Sequence, residues 1–196
     1  GRMVIPLGER FDQTLVLLTK RDGKLTREAL ASTLFVPMTG RAEDARQVRP
    51  DGGRPVLHNA GFESLLPESR QPAAWYYGRQ MEVVEEAAVP EGRRFLRLAN
   101  AQPGRPAQVF QGFPVDGSQV GRLRIEAWAR GDGLQAGAVA AELPGLTVRF
   151  QDDARARSSI ARIGPWEGTF AWQPVEGVIA VPTWAREAIL QVGMMG

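Results

Sequence analysis

The stretch Arg122–Arg130, RLRIEAWAR, alternates without a break: Leu123, Ile125, Ala127 and Ala129 share one side, and Arg122, Arg124, Glu126, Trp128 and Arg130 share the other. Side chains that switch face at every residue belong to an extended strand with one dry and one wet face. Working outward, short runs of similar character lie at Met3–Pro6, Leu15–Lys20, Thr33–Pro37, Trp75–Val84, Arg94–Leu98, Ala107–Phe113, Leu146–Phe150, Thr169–Gln173, Val178–Val181 and Ala188–Val192. Gly, Pro, Asn and Asp separate them, with 22 Gly and 14 Pro acting as punctuation. Helical spacing is confined to a turn or two at Arg27–Ser32. The expected fold is therefore all-β, a sandwich of short strands.

The composition suits that reading. The chain has 196 residues, 43% of them hydrophobic and 23% charged, enough for one core domain and an appendage. Lys and Arg number 24 against 22 Asp and Glu, a formal charge of +2, and the arginines are spread along the chain. No basic run tracks a phosphate backbone, so no nucleic-acid partner is expected. Cysteine is absent, which removes disulfides and thiolate metal sites and fits a reducing compartment. No apolar run approaches about 18 residues, and GRMVIPLG lacks the parts of a signal peptide. A cytoplasmic, non-membrane protein is the expectation.

The N-terminal part sets a problem. Asp22-Gly23 in TKRDGK supplies the positive φ angles of a tight hairpin, so residues 3–37 read as a strand, a hairpin and a returning strand. LVLL, Leu15–Leu18, is apolar on both faces, which suits a strand inside a larger sheet that this chain does not encode. In FVPMTGRAEDAR, Phe35–Arg46, the character changes from strand to solvated connector. Residues 1–40 are thus expected to be the end of a domain whose beginning lies upstream, 41–58 a linker, and 59–196 the main domain. Two or three strands alone are marginal in water. Leu15, Leu17, Leu34 and Val36 are therefore expected to pack on the sandwich or on a second chain, as in a homo-oligomer.

MVIPLGERFDQTLVLLTKRDGKL, followed by LFVPMTG, resembles the carboxyl-terminal end of protein-L-isoaspartate O-methyltransferases. There a VIPVG strand, a Q-L-L-V-K-DGKL hairpin and an RFVPLTG strand close the sheet. The resemblance implies S-adenosylmethionine as cofactor of an intact parent, methylation of isoaspartyl residues in protein repair, and a missing N-terminal methyltransferase domain as partner. The family's glycine-rich cofactor loop, ribose-binding acid and isoaspartyl pocket have no counterpart here. No Gly-x-Gly turn stands between a strand and a helix. No catalytic residue carries over, and this chain alone is not expected to methylate.

From Asn59 onward, NAGFE, WYYGRQMEV, FLRLANAQPGRPAQVFQGFPVDG and RLRIEAWARG are similar in order to carbohydrate-binding modules with a galactose-binding-like jelly roll. Such an extension after an isoaspartyl methyltransferase resembles bacterial proteins of planctomycete type. The resemblance implies a jelly-roll sandwich and makes Glu63 of NAGFE a candidate ligand for a structural calcium. Modules of this kind close with an acidic strand, whereas this sequence stops at LQVGMMG, so a final strand is expected to be missing.

Alternation sorts the aromatics independently. Trp75, Tyr77, Met81 and Val83 fall on an apolar side, with Tyr76, Gln80 and Glu82 opposite. Phe170 and Trp172 read as core, Trp166 as held in a turn and Trp184 as part of a loop. A Trp on a polar sheet face can stack on pyranose C–H groups while neighbours take the hydroxyls. Trp128, Tyr76, Gln80, Arg124 and Glu126 are the candidate face for a carbohydrate partner. The alternative is that a loop, residues 1–40 or the absent methyltransferase covers Trp128.

Other chemistry is thinly supported. Asp152-Asp153 reads as a solvated turn before it reads as a metal site. The lone His58 sits in a connector, poorly placed for a triad, and nothing pairs two carboxylates across a cleft. Met194-Met195 reads as packing. Three functions stay open: an accessory module of a methyltransferase, a carbohydrate-binding module, and a structural docking or oligomerisation domain.

Overall fold

The computed structural model describes residues 1–34, 51–102, 104–137, 139 and 142–195. β1 (Arg2–Glu9), β2 (Asp12–Arg21) and β3 (Lys24–Thr33) form an antiparallel sheet of their own, in that order. Asp22 and Gly23 both take positive φ, 49° and 76°, as a two-residue hairpin turn requires. The turn fixes the register, setting Leu18 opposite Arg27 and Val16 opposite Ala29. The helical turn expected at Arg27–Ser32 is consequently strand. Ladder pairing along β2 claims its backbone groups, and that outweighs a weak local helix propensity. Between Leu15 and Val16 the register shifts, and Leu30 is the extra residue of a bulge.

Both faces of this small sheet are apolar. Ile5, Leu7, Val16 and Leu18 lie on one side, and Val4, Pro6, Leu15 and Leu17 on the other. Val16 is buried, yet Met3 and Val4 are 53% and 51% exposed. Val36, the expected continuation of the last strand to Pro37 and the seam from Phe35 lie outside the described residues.

The other strands are β4 (Tyr76–Arg79), β5 (Met81–Glu85), β6 (Arg94–Leu98), β7 (Ala107–Pro114), β8 (Arg122–Leu134), β9 (Gly145–Gln151), β10 (Ser158–Ile163), β11 (Gly168–Ala180) and β12 (Glu187–Met194). A five-stranded antiparallel sheet runs β10-β9-β12-β7-β4, and two antiparallel pairs, β8–β11 and β5–β6, accompany it. Val109 and Phe113 of β7, Leu146, Val148 and Phe150 of β9, and Leu190 of β12 project from one face of the large sheet. They meet Leu96 of β6, Leu123 and Ile125 of β8 and Ile179 of β11. The architecture is an all-β sandwich. Each large side chain so buried contributes about 1.5–3 kcal/mol relative to exposure.

One polar residue interrupts the apolar row of β7. Gln111 is fully buried. Its Oε1 accepts from the His58 amide at 2.7 Å, and its Nε2 donates to the carbonyls of His58 at 2.8 Å and Ala74 at 3.1 Å. The buried amide thereby fastens the segment before β4 to the sheet. At residue 52 the chain is also tied down, because the Gly52 carbonyl accepts from the Asp116 amide at 2.7 Å. Among the described residues no helix is long and apolar enough to cross a membrane.

Candidate functional site

The outer face of β8 carries the residues that alternation assigned to it. Trp128 is 47% exposed, and register with β11 sets Pro174 opposite Trp128, Glu176 opposite Glu126 and Val178 opposite Arg124. Arg124 Nη2 stands 2.6 Å from Glu126 and 2.7 Å from Glu176. The hydrogen bond that Arg124 donates to Glu176, then the charge of Glu126, raise the guanidinium pKa further. One step along, the Arg130 guanidinium lies 5.1 Å from the Trp172 ring and 5.3 Å from the Phe95 ring, with Glu86 at 3.7 Å. Phe95 meets Trp172 edge to face at 5.2 Å. Trp172, expected in the core, is thus half-buried beneath an arginine. Register shifts around Phe170 turn it out of strict alternation.

Tyr76 and Gln80 do not join this face. The single strand expected at Trp75–Val84 is two strands of different sheets, because Tyr77 (φ 55°) and Gln80 (φ 48°) take the left-handed conformation. Tyr76 is 1% exposed rather than presented to a ligand. Its hydroxyl accepts from the Gly112 amide and stands 3.4 Å from the Phe11 carbonyl, and burial raises its pKa well above the usual phenol value. Gln80 braces a loop, donating to the Arg105 carbonyl at 2.8 Å and accepting from the Gln102 amide at 2.7 Å. Trp128, Arg124 and Glu126 share a surface; Tyr76 and Gln80 serve the scaffold.

Glu63 is not placed as a calcium ligand. Its Oε1 accepts from the amides of Arg93 at 2.7 Å and Arg94 at 2.9 Å, which lowers its pKa. The Arg94 guanidinium stands 3.8 Å from the other oxygen, where a cation would be repelled. Among the described residues no group of three or more His, Asp or Glu could hold a metal. The rest of NAGFE is structural too. Asn59 bonds Ser64 and Ala73, its carbonyl accepts from Trp75 Nε1 at 2.9 Å, and Phe62 packs 5.0 Å from the Trp75 ring. Asp152 caps its turn through the Ala156 amide at 2.8 Å.

Among the described residues a further polar constellation is one that residue types alone do not reveal. Glu187, 2% exposed, opens β12 on the outer face of the large sheet. Arg155, in the β9–β10 turn, reaches its Oε1 through Nε at 2.6 Å, and Arg10, in the β1–β2 turn, reaches Oε2 at 3.2 Å. Beside this cluster Phe11 is buried against Gly112, where an added Cβ would stand 3.1 Å from its ring. The Ala74 amide donates to Ser32 Oγ at 3.1 Å, and the Tyr77 hydroxyl to the Leu34 carbonyl at 2.7 Å. The small N-terminal sheet is therefore seated on the sandwich through its β1–β2 turn and the end of β3. Leu34 joins this contact, whereas Leu15 and Leu17 are only half-buried.

That seated segment has known relatives. Residues 1–43 match the protein-L-isoaspartate(D-aspartate) O-methyltransferase family. Over 42 residues the chain is 50% identical to a protein-L-isoaspartate O-methyltransferase of Geobacter metallireducens. The matched part is 21% of this chain and 19% of that protein, so the similarity spans about a fifth of each. Arg10, Phe11, Ser32 and Leu34 belong to the methyltransferase-like segment. Tyr76, Tyr77, Gly112, Arg155 and Glu187 lie beyond it.

Proposed function

We propose that residues 59–196 are a non-catalytic accessory β-sandwich in the C-terminal region of a protein-L-isoaspartate O-methyltransferase. The intact protein would transfer a methyl group from S-adenosylmethionine to isoaspartyl residues, in the cytoplasm, as a step of protein repair. The observation that carries this reading is the seating of the methyltransferase-like segment on Glu187, Gly112 and Tyr76 of the sandwich. The sheet β1–β3, apolar on both faces, has the character of a fragment that needs further strands beside it, and the missing methyltransferase domain is their proposed source. The sandwich acts as a brace for that domain. The test begins with the coding sequence upstream of Gly1, read for a strand, a glycine-rich turn and a helix. The longer protein is then assayed for methyl transfer to an isoaspartyl peptide, with and without residues 59–196. Loss of rate or thermal stability on removing the sandwich supports the brace. An upstream frame without the cofactor loop overturns the assignment.

A second reading has its own observation. The half-exposed Trp128, flanked by the Arg124–Glu126–Glu176 network, has the composition of a carbohydrate platform on a galactose-binding-like module. Quenching of tryptophan emission by neutral oligosaccharides, abolished by Trp128→Ala, supports it; an unchanged spectrum at millimolar sugar counts against it. A structural role in oligomerisation is the third reading, and light scattering on the purified chain tests it directly.

A further inference from the structure

We infer that the outer face of the five-stranded sheet around Gly112 is a reversible docking socket whose occupant is the Arg10-Phe11 turn of this same chain. From it β1–β3 opens as a unit while the sandwich stays folded. The socket is a property of this chain, whatever the sandwich does for methyl transfer. The hydrophobic core of the sandwich takes no side chain from residues 1–34. Among the contacts that join the two parts are Phe11 and Leu34, the Arg10–Glu187 pair, and the hydroxyls of Ser32, Tyr76 and Tyr77.

The socket is shaped for its occupant. An added Cβ at Gly112 would stand 3.1 Å from both Phe11 Cδ1 and the Tyr76 hydroxyl, and 3.6 Å from Leu34. A larger residue there closes the floor. The walls are prepared for departure as well. When Arg10 leaves, Glu187 keeps the Arg155 guanidinium at 2.6 Å, so the carboxylate is never left buried without a cation. The departing sheet has few buried side chains, and such regions open at lower free energy than a packed core.

Hydrogen exchange of the full chain in rising denaturant, read on peptides, tests this. The amides of β1–β3 are expected to exchange through a step that leaves β7, β9 and β12 protected. Arg10→Ala and Gly112→Val are expected to speed that step about tenfold or more, as loss of a charge-assisted contact or a shape fit should. A single opening step shared by all strands overturns the inference, as does unchanged β1–β3 exchange in both variants. If Gly112→Val fails to fold, Arg10→Ala decides alone, since its side chain lies on the turn and outside the sandwich core.

Discussion

Asp116 accepts from the Ser118 hydroxyl at 2.7 Å, the Ser118 amide at 2.9 Å and the Gln119 side chain at 2.6 Å, with Arg186 at 3.2 Å. The Ser118 bonds first, then that of Gln119, hold its pKa down at about 2. The folded state thus favours the ionised form. Its contribution is fully present above the ordinary carboxylate pKa of about 4 and is lost as pH falls through the folded value. Melting temperature followed from pH 5 to pH 2 is expected to fall more steeply for the wild type than for Asp116→Asn. Gln111 makes a different demand, because its partners are buried. Gln111→Leu leaves the His58 amide and the His58 and Ala74 carbonyls without it, and is expected to cost about 2–4 kcal/mol in denaturant unfolding. Neither role is readable from residue type. A Gln between Val109 and Phe113 looks like an error in the apolar pattern until the chain that it clamps is folded against it.

The strands were legible wherever period two ran unbroken, as in β8, where Leu123 and Ile125 are inside and Trp128 is out. Reading failed where the backbone left the extended region at residues with ordinary side chains. Tyr77 and Gln80 give no compositional sign of positive φ, so a run that looked continuous turns a corner, and Tyr76 passes from the wet face to a buried one. Local helix preference at Arg27–Ser32 lost to a register set by the turn at Asp22-Gly23. In β11 the sequence suggested two strands, Thr169–Gln173 and Val178–Val181. Among the described residues β11 pairs with β8 alone, and a strand with an open edge tolerates a proline, so the two parts join. Trp128 faces out of this pair. Trp128→Ala is therefore expected to change unfolding free energy by about 1 kcal/mol or less. A larger loss would mark the indole as packing and remove the basis of the carbohydrate reading.

The whole molecule joins a sandwich that carries its own core to a sheet that carries none. The difference between β1–β3 and the sandwich was legible as a change in pattern; the seat that joins them was not, because Arg10, Arg155 and Glu187 are far apart in sequence. Met3, Leu7 and Leu25 remain 53%, 38% and 56% exposed on the small sheet. Such a surface attracts apolar dyes and other chains. The paired substitutions Met3→Lys and Leu25→Lys are expected to reduce anilinonaphthalene dye fluorescence and any concentration-dependent association seen by light scattering, with little change in the melting of the sandwich. Unaltered dye binding would locate the adhesive surface elsewhere.

Gln111 grips residue 58 by its peptide groups and leaves the imidazole outside. The fold therefore reads that position as main chain only, and its side chain is open to replacement. Because the sequence contains no cysteine, His58→Cys would introduce its sole thiol. A fluorophore attached there would report on the grip of Gln111 on the segment before β4, from a point that the architecture already treats as vacant ground.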